Sequence, residues 1–446
     1  MHTQTKYVHY SGKRSLDAAL NWGQQEVWDL IEKEIPEEYI YNILGSFQIS
    51  AAEHLDETQC LRALSFFLSR HESLRTVYPK NGNGQVFQRV LSEGQIPVEV
   101  VSTSLPELEG TISVLRGSFA TWRFNLQTEP PVRVALVIAE GRVSGVVYVL
   151  SHMATDWHGM QQLSEEVVSY FKNGEDISTL AEYLFTPVDL ALWQMSPEGA
   201  AKRDNTLRHV ESLFESRVPL GLPPRLPEAP DSTELRRASL WSRASREAVN
   251  RTAHAAGVST SAVILGTAVS SLRDCTGSNI IDLYLTSSQR FTKRVRSMVA
   301  TLMQDTYFSV DLTGADVGES IKRSWVAALT AYQNSGCDYS SMHQLMDRLG
   351  KIHNQPIRIN YMINDKRSDA TPGPVDRDRD IEALLGESVL SWIPSAESWS
   401  FYLDIEDDGD ALVLSLTCDI RYFSPKYIED FLLDLEIALI EHAKKY

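Results

Sequence analysis

Gly145-Val146-Val147-Tyr148-Val149-Leu150-Ser151-His152-Met153-Ala154-Thr155-Asp156-Trp157-His158-Gly159 is the stretch that organises this chain. Its unbroken apolar run predicts a buried strand. The run stops at Ser151-His152, one helical turn before Asp156. A helical pattern then begins near Gly159, with Leu163, Val167 and Phe171 on one face. A histidine thus stands at the tip of a core strand, on rigid backbone and under a loop, which is a good place for a base. Taken alone, such a histidine is more often a surface or core-satisfied side chain, since most histidines are not general bases.

Working outward, residues 131–139 and 143–151 read as two strands joined by a hairpin turn at Glu140-Gly141-Arg142. A helix is expected over 111–126, strands over 39–50 and 86–90, and helices over 21–32 and 57–71. The 57–71 helix has Leu61, Leu64, Phe67 and Leu68 on one face and runs into Arg70-His71-Glu72-Ser73-Leu74-Arg75-Thr76. Beyond the central stretch come Pro187-Val188-Asp189-Leu190-Ala191-Leu192-Trp193 and a charged helix over about 198–216. Pro219, Pro223, Pro224, Pro227 and Pro230 then mark a linker or surface loop.

The second half has an α/β rhythm. Helices are expected over 243–256, capped by Gly257, and over 260–274, with a strand at 280–286. A strand within 298–311, a helix over 318–334 and a strand over 357–364 follow. Residues 365–380 are highly charged and read as a mobile loop. Strands at 389–393, 399–406 and 411–419 precede a last helix opened by Ser424-Pro425.

The chain has 446 residues, which favours two domains. We expect lobes at 1–180 and 237–446, with 181–236 connecting them. A net charge of −17 argues against a nucleic-acid partner. Cys60, Cys275, Cys337 and Cys418 lie far apart, without metal or disulfide spacing, so a reducing cytoplasm is the expected location. The N-terminal residues carry no apolar signal core, and no apolar run approaches the ~20 residues of a membrane span.

Ser151-His152-Met153-Ala154-Thr155-Asp156-Trp157 resembles the His-His-x-x-x-Asp-Gly motif of the condensation domains of nonribosomal peptide synthetases. These belong to the chloramphenicol acetyltransferase-like, coenzyme A-dependent acyltransferase superfamily. Arg70–Thr76 is similar to a highly specific and mainly structural motif of that family, and it is intact. Asp189–Trp193 resembles a third family element, and Gln24 and Trp28 keep the spacing of a fourth. The resemblance runs from about Leu20 to His442.

The resemblance implies an α/β (α+β) fold of two chloramphenicol-acetyltransferase-like lobes, arranged in a V around a tunnel. It implies an acyltransferase, part of secondary-metabolite and antibiotic biosynthesis, that joins a carrier-bound acyl or aminoacyl thioester to an amine or, less often, a hydroxyl. Its partners would be donor and acceptor carrier proteins with their phosphopantetheine arms. A monomer with no bound cofactor, metal, nucleic acid or membrane is expected. His152 would orient the amine, take its proton or stabilise the tetrahedral intermediate. Asp156 would hold the loop through a salt bridge to Arg290, expected in the second lobe. The sequence departs from the family at Ser151, where the first histidine stands, and at Trp157, where glycine stands, with Gly159 two residues on. Ala300, Leu302, Gln304 and Asp305 replace the Gly-x-Phe-x-Asn-Thr element. A catalytically degenerate docking platform is the alternative that these departures raise. A free-standing acyltransferase using coenzyme A ranks last, since no Gly-rich or basic phosphate cradle adjoins the motif.

Overall fold

A computed structural model describes residues 2–50, 55–173, 185–367, 370–375, 380–395 and 399–446. The chain forms two compact units: Met1–Ala201 with Ser288–Gln304, and Lys202–Ser287 with Asp305–Tyr446.

The first unit runs β1 (His2–Ser11), β2 (Leu16–Ala18), α1 (Trp22–Lys33), β3 (Asn42–Gln48), α2 (Glu57–Arg70), β4 (Thr76–Val77), β5 (Gln88–Val90) and β6 (Glu93–Thr103). It continues with α3 (Leu108–Ala120), β7 (Val132–Ala139), β8 (Arg142–Ser151), α4 (Trp157–Lys172) and α5 (Pro187–Gln194). Helix α6 (Pro197–Phe214) leads into the second unit. The main sheet has the order β1-β6-β7-β8-β3, with β6 and β7 parallel and the other pairs antiparallel. The β7–β8 hairpin turns on Glu140 and Gly141, both at positive φ (52° and 74°), the geometry that matches the twist of the flanking strands. Val147, Val149 and Leu150 of β8 are buried against the cores on the two faces of this sheet.

The second unit contains β9 (Leu235–Ser242), α7 (Arg243–Ala256), α8 (Thr260–Thr276) and β10 (Ile280–Ser287). The short helix α9 (Lys293–Arg296) belongs to the first unit. Then come β11 (Gln304–Asp311), α10 (Val317–Gln333), α11 (Tyr339–His353), β12 (Tyr361–Asp365), α12 (Ile381–Leu385), β13 (Val389–Ile393), β14 (Phe401–Asp408), β15 (Ala411–Asp419) and α13 (Pro425–Ala443). Its sheet has the order β11-β10-β12-β14-β15-β9-β13. Helix α8 is buried over most of its length, because Val263, Ile264, Leu265, Val269 and Leu272 leave almost no polar face. No single described helix is long and apolar enough to cross a membrane.

The two units differ from the division at 180 and 237 expected above. Their boundary falls inside α6, whose hydrogen bonds are internal, so composition does not mark it. The proline-rich stretch lies on the second unit: Leu220 N donates to Asp282 (3.0 Å), Leu226 N to Arg421 O (2.8 Å), and Tyr361 Oη to Gly221 O (3.0 Å). Of the loop expected over 365–380, residues 368–369 and 376–379 lie outside the described residues. Next to them, Arg367 pairs with Asp365 at 2.7 Å, and Gly373 N donates to Asn250 Oδ1 at 3.1 Å.

Candidate active site

Strand β8 delivers the central loop, and backbone hydrogen bonds hold that loop on several sides. Ser151 N donates to Pro131 O (3.0 Å), His152 N to Tyr41 O (3.2 Å), and Ala154 N to Ser151 O (2.9 Å). The hydroxyl of Thr301 donates to His152 O. Tyr78 is fully buried and donates its hydroxyl to Met153 O at 2.8 Å, while Gln24 Nε2 donates to the same hydroxyl at 3.3 Å. Gln24 is itself fixed in a capping box with Asn21 at the start of α1. The position of His152 is therefore set by main chain and by a Gln24–Tyr78 relay, not by its own ring.

That ring is left for other work. His152 Nδ1 is buried and has no hydrogen-bond partner among the described residues. Burial pushes the imidazole below the ordinary histidine pKa, and the charge of Asp156 opposes the shift without reversing it. The histidine is consequently neutral at pH 7, in the form that can accept a proton.

Asp156 faces a different set of partners. Its Oδ1 accepts from Gly159 N at 2.8 Å and caps α4. Its Oδ2 accepts from Arg290 Nη1 (2.8 Å), Leu302 N (2.9 Å) and Met303 N (3.0 Å). Burial opposes the charge of Asp156, but the charge and hydrogen bond of Arg290, with the Gly159 and Leu302 amides, outweigh it and hold the carboxyl below its usual range. None of these bonds goes to His152, so Asp156 is a positioning residue that acts on the imidazole only through its field.

Arg290 is almost buried, and its Nη atoms also donate to carbonyls, Ser288 O (3.1 Å), Met298 O (3.1 Å) and Ala300 O (2.9 Å), while its buried Nε has no partner among the described residues. The residue before it, Gln289, sits in the left-handed region at φ 55°. Expected in the second lobe, Arg290 instead lies in the same compact unit as Asp156, because the whole segment 288–304 folds into the first unit.

The departures from the family pattern fall at well-defined places around this loop. Ser151 is buried, and its Oγ accepts from Met153 N at 3.3 Å, so this position serves the loop's own backbone. Trp157 opens α4 and leaves 48% of its surface exposed. Gly159 carries the close approach: a Cβ there would stand 2.4 Å from Thr155 Oγ1 and 3.0 Å from the Ala300 backbone. Ala300 and Leu302 contribute a carbonyl and an amide, so changing their side chains leaves the donor and acceptor pattern intact. Sequence reasoning did not single out Tyr78, Thr301 or the Leu302 and Met303 amides. Backbone donors leave no residue-type signal, and Tyr78 reads as one more core aromatic.

A family model described as Condensation domain matches residues 17–443. The chain is 31% identical over 152 residues to the probable non-canonical nonribosomal peptide synthetase CymA of Salinispora arenicola, a match covering 34% of this chain and 2% of that protein. It is 28% identical over 215 residues to the nonribosomal peptide synthetase kk1B of Curvularia clavata, covering 46% of this chain and 2% of that protein. The chain thus spans a small fraction of the length of these relatives. Among solved structures it is similar in fold to the first condensation domain of the calcium-dependent antibiotic synthetase, with a TM-score of 0.71 and 15% identity over 96% of each chain.

Proposed function

The chain belongs to the condensation-domain family, and from that premise we propose that it forms an amide between a carrier-bound acyl or aminoacyl thioester and an amine on a second carrier, with His152 as the catalytic residue. Condensation domains act with carrier proteins that bear phosphopantetheine. The observation that carries the proposal is the placement of His152: its Nδ1 is buried and has no partner among the described residues, and its backbone is tied at both its amide and its carbonyl. Burial there favours the neutral imidazole.

The chemistry asks little more of the protein. The amine nitrogen attacks the thioester carbonyl carbon, the C–N bond forms and the C–S bond breaks. The proton lost by nitrogen passes to the imidazole and from there to the departing thiolate sulfur. Holding two tethered substrates together removes much of the barrier. A positioned general base contributes roughly 10²- to 10⁴-fold. Asp156 and Arg290 hold the loop that carries the base. Ser151 is compatible with the active reading, because its buried hydroxyl accepts from the loop's own Met153 amide and leaves the backbone that holds His152 in place.

The test is intact-protein mass spectrometry of loaded donor and acceptor carriers, with wild type and with His152→Ala. Wild type should move the donor mass onto the acceptor, and His152→Ala should slow that transfer by roughly 10²- to 10⁴-fold. The transfer rate should fall on acidification only below about pH 6.5, the ordinary histidine value, because burial lowers the His152 pKa. Equal rates in the two proteins overturn the mechanism. No transfer by wild type, with co-elution of a carrier, favours the platform.

A further inference from the structure

The first unit carries a cationic turn that the chemistry above does not use. Lys293, Arg294 and Arg296 lie on α9, and all three are exposed. None has a carboxylate at ion-pair distance among the described residues, in a chain with 59 acidic residues against 42 basic ones. Several other cations of the unit are matched, Arg14 with Glu72 and Asp189, Arg70 with Glu166, Arg133 with Glu99 and Arg290 with Asp156. Lys13 and Arg116 also have no carboxylate at ion-pair distance among the described residues, but they stand singly, whereas α9 gathers three such cations within four residues.

The turn is also anchored. Val295, in its middle, is buried in a cluster with Leu190, Met298, Ala300 and Leu302. Burying this one residue fixes the backbone while its three cationic neighbours stay in water. Phe291, just before the turn, leaves 54% of its surface exposed. The turn is close to the candidate site without being part of it. Arg296 and Thr301, which bonds the carbonyl of His152, are five positions apart, so the chain limits their separation to about 18 Å.

We propose that Lys293, Arg294 and Arg296, with Phe291 beside them, form a docking surface for the acidic face of a carrier protein; this rests on the carrier-dependent function proposed above. The charge balance chooses the occupant. A protein of net charge −17 repels an acidic partner over most of its surface, so a local positive patch both attracts that partner and sets its orientation. An extended polyanion such as nucleic acid would meet the acidic remainder of the surface. A single phosphodiester, such as that of the phosphopantetheine arm, needs one arginine fork and not three exposed side chains spread over a helical turn. Several carboxylates on a compact protein face match the arrangement better.

The experiment uses the full chain and an acidic peptidyl carrier domain, in apo and phosphopantetheinylated forms, with binding read by fluorescence anisotropy. The wild-type chain should bind both forms. Affinity should fall as ionic strength rises from about 0.01 M to 1 M, since the screening length shrinks from roughly 30 Å to 3 Å. The triple charge reversal Lys293→Glu, Arg294→Glu, Arg296→Glu should bind both forms roughly 10- to 100-fold more weakly and lose most of the salt dependence. An unchanged thermal melt shows that the variant is folded; a milder Lys293→Gln, Arg294→Gln, Arg296→Gln variant replaces it if the melt shifts. Equal affinity of variant and wild type overturns the proposal. So does a loss confined to the phosphopantetheinylated carrier, which assigns the patch to the phosphodiester, or no binding by wild type at low salt. His152→Ala should bind like wild type, so failure of the catalytic reading and failure of the docking surface give separate signatures.

Discussion

Two ionic assemblies in the first unit do similar jobs by opposite means. In Arg70–Thr76 nearly every side chain has a partner. Arg70 and His71 bond Glu166 of α4 at 2.9 and 3.0 Å, Arg14 grips Glu72 at 2.8 Å and Asp189 at 2.8 Å, and Ser73 Oγ donates to Val299 O at 2.7 Å. Thr76 closes the turn on Glu72 O at 2.7 Å. Around Asp156 the segment 298–303 contributes mainly backbone: two carbonyls to Arg290 and two amides to Asp156. The first assembly needs its residue types, and its motif stands intact. The second needs its chain path, and its residue types have changed without breaking it.

The largest effect expected from this contrast is at Asp156. Asp156→Ala strands the nearly buried Arg290 and removes the α4 cap, so equilibrium unfolding in urea should show a loss of about 3–5 kcal/mol. The carboxyl is held below its usual range in the folded state, so its contribution is present above the unfolded value near 3.9 and disappears as pH falls through the lower folded value. Gly159→Ala probes the close approach directly. The added methyl meets Thr155 and the Ala300 backbone and should cost about 1–3 kcal/mol, read by thermal melting. Arg14→Ala breaks the partly exposed end of the other assembly and should cost about 1–2 kcal/mol in the same measurement. Met303→Leu should be smallest, below about 1 kcal/mol, because the amide and not the thioether holds Asp156. A Met303→Leu loss as large as that of Asp156→Ala would end the distinction between the two assemblies.

The same contrast explains what could be read from the sequence. Strand β8, helices α7 and α8 and the β14–β15 hairpin are legible because burial imposes an apolar run or period on them. Strands β1 and β6 were not expected. β1 is mostly exposed at the sheet edge and alternates only at Val8 and Tyr10, whereas β6 does alternate at Ile96, Val98 and Val100 but carries Pro97, a residue that reads against an interior strand. Helix α11 was also missed, although Met342, Leu345, Met346 and Leu349 mark its buried face. At the site, His152 and Asp156 are visible as residue types in a motif. The pairing of Asp156 with Arg290 followed from family resemblance and not from spacing, because contacts across so long a sequence separation leave no local period.

The segment 288–304 has a consequence for how the chain is made. Leu302 lies 146 residues beyond the Asp156 carboxylate that it caps. At about 5–20 residues per second on the ribosome, that carboxylate waits roughly 7–30 s for its partners to be synthesised. Until then the first unit lacks Arg290, Thr301 and the Val295 anchor. A chain halted after α6 holds all five strands of the main sheet but none of the Arg290, Leu302 and Met303 donors of Asp156. Completion of the first unit is therefore a late event in biosynthesis, and the nascent first half depends on sequence still to be translated.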